Sequence, residues 1–166
     1  GTTFAGLTAP ALATVKTTDG RLVYDFDGDG DVDAADVRAL AEMPEPQRSA
    51  LVVRFYEGLW SEASRLPWPA SLLVFDGMVH SGPRVGVSLV QKALERCQPL
   101  SLKPDGIIGR DTISAARMAS PVPLLDAYYV QRVEFMRGIC KWRPDQRVFL
   151  MGWLERAALL REAGVR

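Results

Sequence analysis

Cysteine is scarce in this 166-residue chain: Cys97 and Cys140 stand alone, too few and too far apart for a disulfide framework or a zinc site. They read as buried thiols, with a single bridge between them as the alternative. No stretch approaches about 18 consecutive apolar residues, so nothing in the sequence is long enough to span a membrane. Gly1 to Thr8 lacks the basic start and apolar run of a secretion signal. With Gly in place of Met at position 1, the chain is expected to begin after processing or truncation. Charge of one sign is missing too. Lys and Arg number 20 against 20 Asp and Glu, so no basic surplus points to a nucleic-acid partner. Strand signals are few, and there is no internal repeat and no low-complexity tract.

What the chain has is apolar residues, 48% of the total, enough for a real core. They are arranged in a helical rhythm broken by Pro and Gly. Asp33 is placed to cap a short helix from Ala34 to Glu42, and Pro46 opens a longer one in which Leu51, Val52, Phe55, Leu59 and Trp60 share a face. From Ala70 to Ser81 the chain is apolar nearly all round, as a central buried helix would be, and another helix runs from Pro83 to about Cys97. A tight turn, Pro104-Asp105-Gly106-Ile107-Ile108-Gly109, precedes a helix capped near Asp111. Two amphipathic helices, from about Pro123 to Ile139 and from Pro144 to Ala163, complete the chain. Their aromatic and aliphatic stripes (Tyr128 and Phe135; Phe149, Trp153 and Leu160) read as core, and the arginines of this half read as solvated faces.

The sharpest local signal is acidic. Six carboxylates fall within the twelve residues Asp25 to Asp36, where they would repel one another unless a cation sat among them. The spacing is that of a calcium loop: oxygen ligands at positions one, three and five (Asp25, Asp27, Asp29), Gly30 at six, Asp31 at seven and Val32 at eight. Asp31 would give its backbone carbonyl and Asp33 would act through a water. Position twelve is Asp36 where Glu is usual, a shorter arm that reaches with one oxygen. The expected dissociation constant is on the order of 10⁻⁴ to 10⁻³ M, that of extracellular modules. Calcium sensors pair two such loops; with one loop, a structural clip is expected in preference to a switch. A solvated acidic turn and a calcium-responsive regulator are the rival readings.

Three separated segments together resemble glycoside hydrolase family 108, the bacterial and phage N-acetylmuramidases that carry a C-terminal peptidoglycan-binding module. Gly1-Thr2-Thr3-Phe4-Ala5-Gly6-Leu7-Thr8 is similar to the family's G-x-T-x-x-G-I-T. Val74-Phe75-Asp76-Gly77-Met78-Val79-His80-Ser81-Gly82-Pro83, followed by Leu89-Val90-Gln91-Lys92-Ala93-Leu94, is similar to F-D-x-x-V-N-S-G-P and L-Q-x-A-L. Asp105-Gly106-Ile107-Ile108-Gly109 with Thr112 resembles the D-G-x-I-G-x-x-T turn of wall-binding modules. His80 stands where the family has Asn, and the aspartate loop is an insertion. The family's general-acid Glu lies in an E-G-G-Y motif that is absent here and is expected upstream of Gly1.

The resemblance implies a mostly α, lysozyme-like domain over 1–83 with the calcium loop at 25–36, and a helical peptidoglycan-binding segment over 84–166. The activity implied is cleavage of the β-1,4 bond between N-acetylmuramic acid and N-acetylglucosamine. That reaction needs a protonated carboxylic acid for the leaving oxygen and a second group to steady the oxocarbenium-like centre or activate water. Thr3 and Thr8 would lie near the cleft as sugar or water contacts, with turn capping as the alternative. Asp76 and His80, one helical turn apart, would touch substrate or form a satisfied buried pair. The partner is peptidoglycan, with other phage virion or tail proteins as further candidates, and the location extracytoplasmic or in a phage virion. The alternative function is a non-catalytic wall-binding or phage tail assembly module stabilised by calcium.

Overall fold

The computed structural model describes residues 3–4 and 7–165, with Thr3 and Phe4 described at backbone level. The fold is mostly α, with eight α-helices and one small antiparallel sheet among the described residues. The chain forms two compact units, Gly1–Gly58 and Leu59–Arg166. The second thus begins well before residue 84, because the apolar helix over Ala70–Ser81 packs on the helix that follows it.

In the first unit, strand β1 (Thr3–Phe4) pairs with β2 (Leu7–Thr8), Thr3 opposite Thr8 and Phe4 opposite Leu7. A single helical turn, α1 (Ala9–Leu12), follows. These short elements carry no periodicity that a sequence reading could detect. After the aspartate loop comes α2 (Ala34–Glu42) with the bounds expected. Its start is a capping box: the Asp33 side chain accepts from the Ala35 N–H, and the Asp36 side chain accepts from the Asp33 N–H at 2.9 Å. Leu7, Leu12, Tyr24, Val37, Leu40 and Phe55 are buried in this unit. The Tyr24 hydroxyl is satisfied by donating to the Leu51 carbonyl at 2.7 Å. Helix α3 runs over Gln47–Ala63.

The second unit is built on α4 (Ala70–Ser81) and α5 (Pro83–Cys97), joined by Gly82 at φ +82°. The two helices pack on one another, and Gly77 and Gly86 let them approach closely. A Cβ on Gly86 would lie 2.4 Å from the Met78 nitrogen and 2.5 Å from the Gly77 carbonyl carbon. Helix α6 (Arg110–Met118) follows the tight turn, and α7 (Pro121–Trp142) packs across α5. One line of α7 faces inward, with Leu124, Tyr128, Arg132, Met136 and Cys140 all buried at a spacing of four. The Tyr128 hydroxyl donates to the Leu73 carbonyl at 2.9 Å, and burial pushes its pKa well above the usual phenol range.

The last stretch departs from the expected single helix. Pro144–Phe149 forms a 3₁₀ helix, and α8 spans Leu150–Ala163. Phe149, expected in the core, is more than half exposed and stacks on Trp153 with ring centroids 6.0 Å apart. Cys97 and Cys140 are both free thiols.

Candidate functional site

Three groupings of chemistry-bearing residues stand out, and the first is the aspartate loop. Carboxylate oxygens of Asp25, Asp27 and Asp29 all lie within 4.8 Å of one another. Gly28 and Gly30, both at positive φ, turn the backbone so that their N–H groups reach the two oxygens of Asp25 at 2.7 and 3.1 Å. Asp27 accepts from the Asp29 N–H at 3.3 Å, and Asp29 accepts from the Asp31 N–H at 2.9 Å. These three exposed or half-exposed carboxylates are a hard-oxygen donor set that fits a calcium-like ion.

The other aspartates are placed differently. Asp36, at position twelve, is buried, with one oxygen accepting from the Phe26 N–H at 2.7 Å and the other from the Asp33 N–H. It braces the loop against α2 and is not gathered with the other three. The side chain of Asp31 also stands outside that trio, and neighbouring carboxylates, Asp29 foremost, push its pKa up.

The second grouping surrounds Asp76. This carboxylate is 5% exposed on α4, and its partners come from three helices. Arg156 of α8 contacts Oδ1 through Nη2 at 2.8 Å and donates from Nε at 2.9 Å. Arg132 of α7 approaches Oδ2 at 3.5 Å, and His80 Nε2 stands 3.9 Å from Oδ1. The Asp76–His80 proximity follows from helical spacing, whereas the two arginines come from distant sequence. Arg132 is 2% exposed, correcting the expectation that the arginines of this half are solvated. A signal was present: Arg132 lies four residues after Tyr128 and four before Met136, in the middle of an apolar line. Burial lowers the His80 pKa, with Arg156 and Arg132 adding to the effect and Asp76 opposing it.

Beside this cluster is a pocket of about 70 Å³ whose walls include His80, Ser81, Arg132, Ile139, Trp153 and Arg156. Its lining is mixed, with guanidiniums and a hydroxyl together with an indole and aliphatic side chains. Thr8 belongs to the other unit, where it occupies the N-cap position of α1 without a side-chain capping bond. The backbone of Thr3 pairs with it, and the Thr3 side chain lies outside the described residues.

The third grouping centres on Gln91, 1% exposed on α5. Its Nε2 donates to Asp105 Oδ1 at 2.9 Å, to the Ile107 carbonyl at 3.0 Å and to Thr112 Oγ1 at 3.0 Å, while its Oε1 accepts from the Gly106 N–H at 2.9 Å. Asp105 also accepts from the Ile107 N–H, and these bonds, that from Gln91 foremost, lower its pKa. Gly106 sits at φ +78°, and a Cβ there would meet the Arg84 carbonyl oxygen at 2.6 Å, so the turn needs glycine on two grounds. The two motifs noticed separately in sequence, around Gln91 and around Asp105, are thus one hydrogen-bonded unit.

Residues 85–158, which contain this unit together with Arg132 and Arg156, match the family described as a predicted peptidoglycan domain. The chain carries a peptidoglycan-related domain. Asp76 and His80 lie just ahead of the matched stretch of the peptidoglycan domain. The structure of Brucella abortus SagA is similar to this chain with a TM-score of 0.72 at 20% identity, covering 98% of this chain and 79% of that one. At that identity the likeness is one of fold. No curated protein matches.

Proposed function

We propose that this chain is a cell-wall protein of the N-acetylmuramidase type, which binds peptidoglycan through its C-terminal half and works outside the cytoplasm or in a phage virion. The match of residues 85–158 to a peptidoglycan domain carries the reading. The muramidase assignment adds the resemblance of the Gly1–Thr8 segment, of Val74–Pro83 with Leu89–Leu94, and of Asp105–Gly109 with Thr112 to glycoside hydrolase family 108. Calcium, on this reading, is a clip in the first unit, held by Asp25, Asp27 and Asp29, with Asp36 bracing the loop from behind.

One observation favours a second reading, a wall-binding module without its own catalysis. Both oxygens of Asp76 face guanidiniums, Arg156 on one and Arg132 on the other. That suits an anchor for two cationic side chains and not a carboxylate free to steady an oxocarbenium-like centre or to activate water. A single experiment separates the readings: purified sacculi are incubated with the protein at its full native length and calcium, then pelleted, and reducing ends are assayed in the supernatant. Retention with release of reducing ends supports the muramidase, and retention without release supports the binding module. A chain that stays in the supernatant and releases nothing overturns both.

A further inference from the structure

The pocket beside Ser81 has more donors than acceptors. Arg132 donates to Ser81 Oγ from Nη1 at 3.1 Å and reaches Asp76 from Nη2, while its buried Nε finds no acceptor among the described residues. An idle N–H on a 2%-exposed guanidinium is unusual, since buried polar groups are nearly always paired. The charges are unequal as well. Arg132 and Arg156 supply two positive charges against the one negative charge of Asp76, so the cluster carries a surplus of one cation. His80 does not add to it near neutrality, because burial favours its neutral form. Trp153 and Ile139 add an apolar part of the wall, and the volume of about 70 Å³ admits only a small group.

We propose that this pocket binds a carboxylate of peptidoglycan, its planar oxygens taken by Arg132 and Arg156 and its adjoining aliphatic group lying against Trp153 and Ile139. The proposal rests on the wall-binding role proposed above and names the chemical group recognised. Guanidinium N–H pairs match carboxylate geometry, and the apolar wall favours a carboxylate on a short aliphatic residue over an inorganic anion. Two parts of peptidoglycan carry such a group, the free end of the peptide arm and the lactyl ether of muramic acid where no peptide is attached.

The test uses the whole chain and three soluble probes: a short wall peptide with a free terminal carboxylate, the same peptide as its terminal carboxamide, and a peptide-free disaccharide with a free lactyl carboxylate. Affinity is read by calorimetry and by the shift of the Trp153 indole resonance. We expect at least one carboxylate probe to bind, tenfold or more tighter than the carboxamide, and the preference to vanish in Arg156→Gln, whose side chain is half exposed and whose fold is checked by circular dichroism. Ile139→Trp, which fills the pocket, should abolish binding. The disaccharide binding more tightly than the peptide identifies the lactyl group, and the reverse order identifies the peptide end. Failure of both carboxylate probes to bind, a carboxamide that binds as tightly as the better carboxylate probe, or a preference that survives Arg156→Gln overturns the proposal. Retention on sacculi, measured in parallel, keeps the two ideas apart. A chain that pellets but ignores the carboxylate loses the pocket assignment alone, and one that prefers the acid but does not pellet loses the wall-binding role.

Discussion

Gly86→Ala tests the packing on which the second unit depends, and its sign is set by two opposing effects. In an exposed helix interior, replacing Gly by Ala stabilises by about 1 kcal/mol through helix propensity. At position 86 the added methyl would lie 2.4 Å from the Met78 nitrogen and 2.5 Å from the Gly77 carbonyl carbon, where ordinary contact begins at 3.4 Å. These are backbone atoms of α4, so no side chain can rotate away, and the two helices must separate by about 1 Å. Overpacking of this kind costs about 1–3 kcal/mol and occasionally more. The propensity gain offsets only part of that. We expect a net loss of up to about 2 kcal/mol, or a fall in Tm of up to roughly 8 °C for a chain of this size. Gly138→Ala and Gly152→Ala are the controls: both lie within helices with nothing inside 4 Å of the added atom, so both should raise stability. Urea unfolding followed by circular dichroism measures all three. If Gly86→Ala proves as stable as the controls, the close crossing of α4 and α5 is wrong.

Gln91→Met keeps volume but leaves the Gly106 N–H without its partner and takes one bond each from the Asp105 carboxylate, the Ile107 carbonyl and Thr112. The expected loss is about 1–3 kcal/mol, and a urea midpoint equal to wild type refutes the network. Asp27→Ala should erase stabilisation by calcium. At about 10 mM calcium, a site with the expected affinity adds about 1.4–2.7 kcal/mol. Thermal scans with calcium and with chelator should therefore differ for wild type and coincide for the variant, and equal losses in both media refute the clip. For His80 the folded pKa lies below the unfolded one, so the unfolded chain takes up the proton first as pH falls. Stability is then complete above the ordinary value of about 6.5 and declines below it, and His80→Asn should flatten the slope between about pH 7 and about pH 5. Identical slopes refute the assignment.

The helices were legible because their signals are local. Asp33 caps α2, Gly82-Pro83 separates α4 from α5, and the bounds of both follow from the residues themselves. The aspartate loop was legible for the same reason, although only the structure separates the trio Asp25, Asp27 and Asp29 from the brace Asp36. What the sequence concealed is pairing over distance. Arg132 and Arg156 meet Asp76 from 56 and 80 residues away, and no periodicity encodes that meeting. The two-residue strands were invisible because pairs of residues carry no pattern, and the 3₁₀ turn over Pro144–Phe149 differs from a helix start only in its hydrogen bonding.

The attachment of α8 bears on where this molecule opens first. Its sole buried residue among those described is Ala157; half-buried Leu160 packs against the core, Trp153 stacks on Phe149, and further ties are the guanidiniums of Arg156 on Asp76 and Arg161 on Asp126, with Gly164 against Leu125. So little apolar anchoring marks a segment of low local stability, whose amides exchange with solvent well before those of α4 and α5. Since Trp153 and Arg156 ride on this helix, raised ionic strength should loosen it ahead of the rest, and any anion drawn in beside them should slow its exchange.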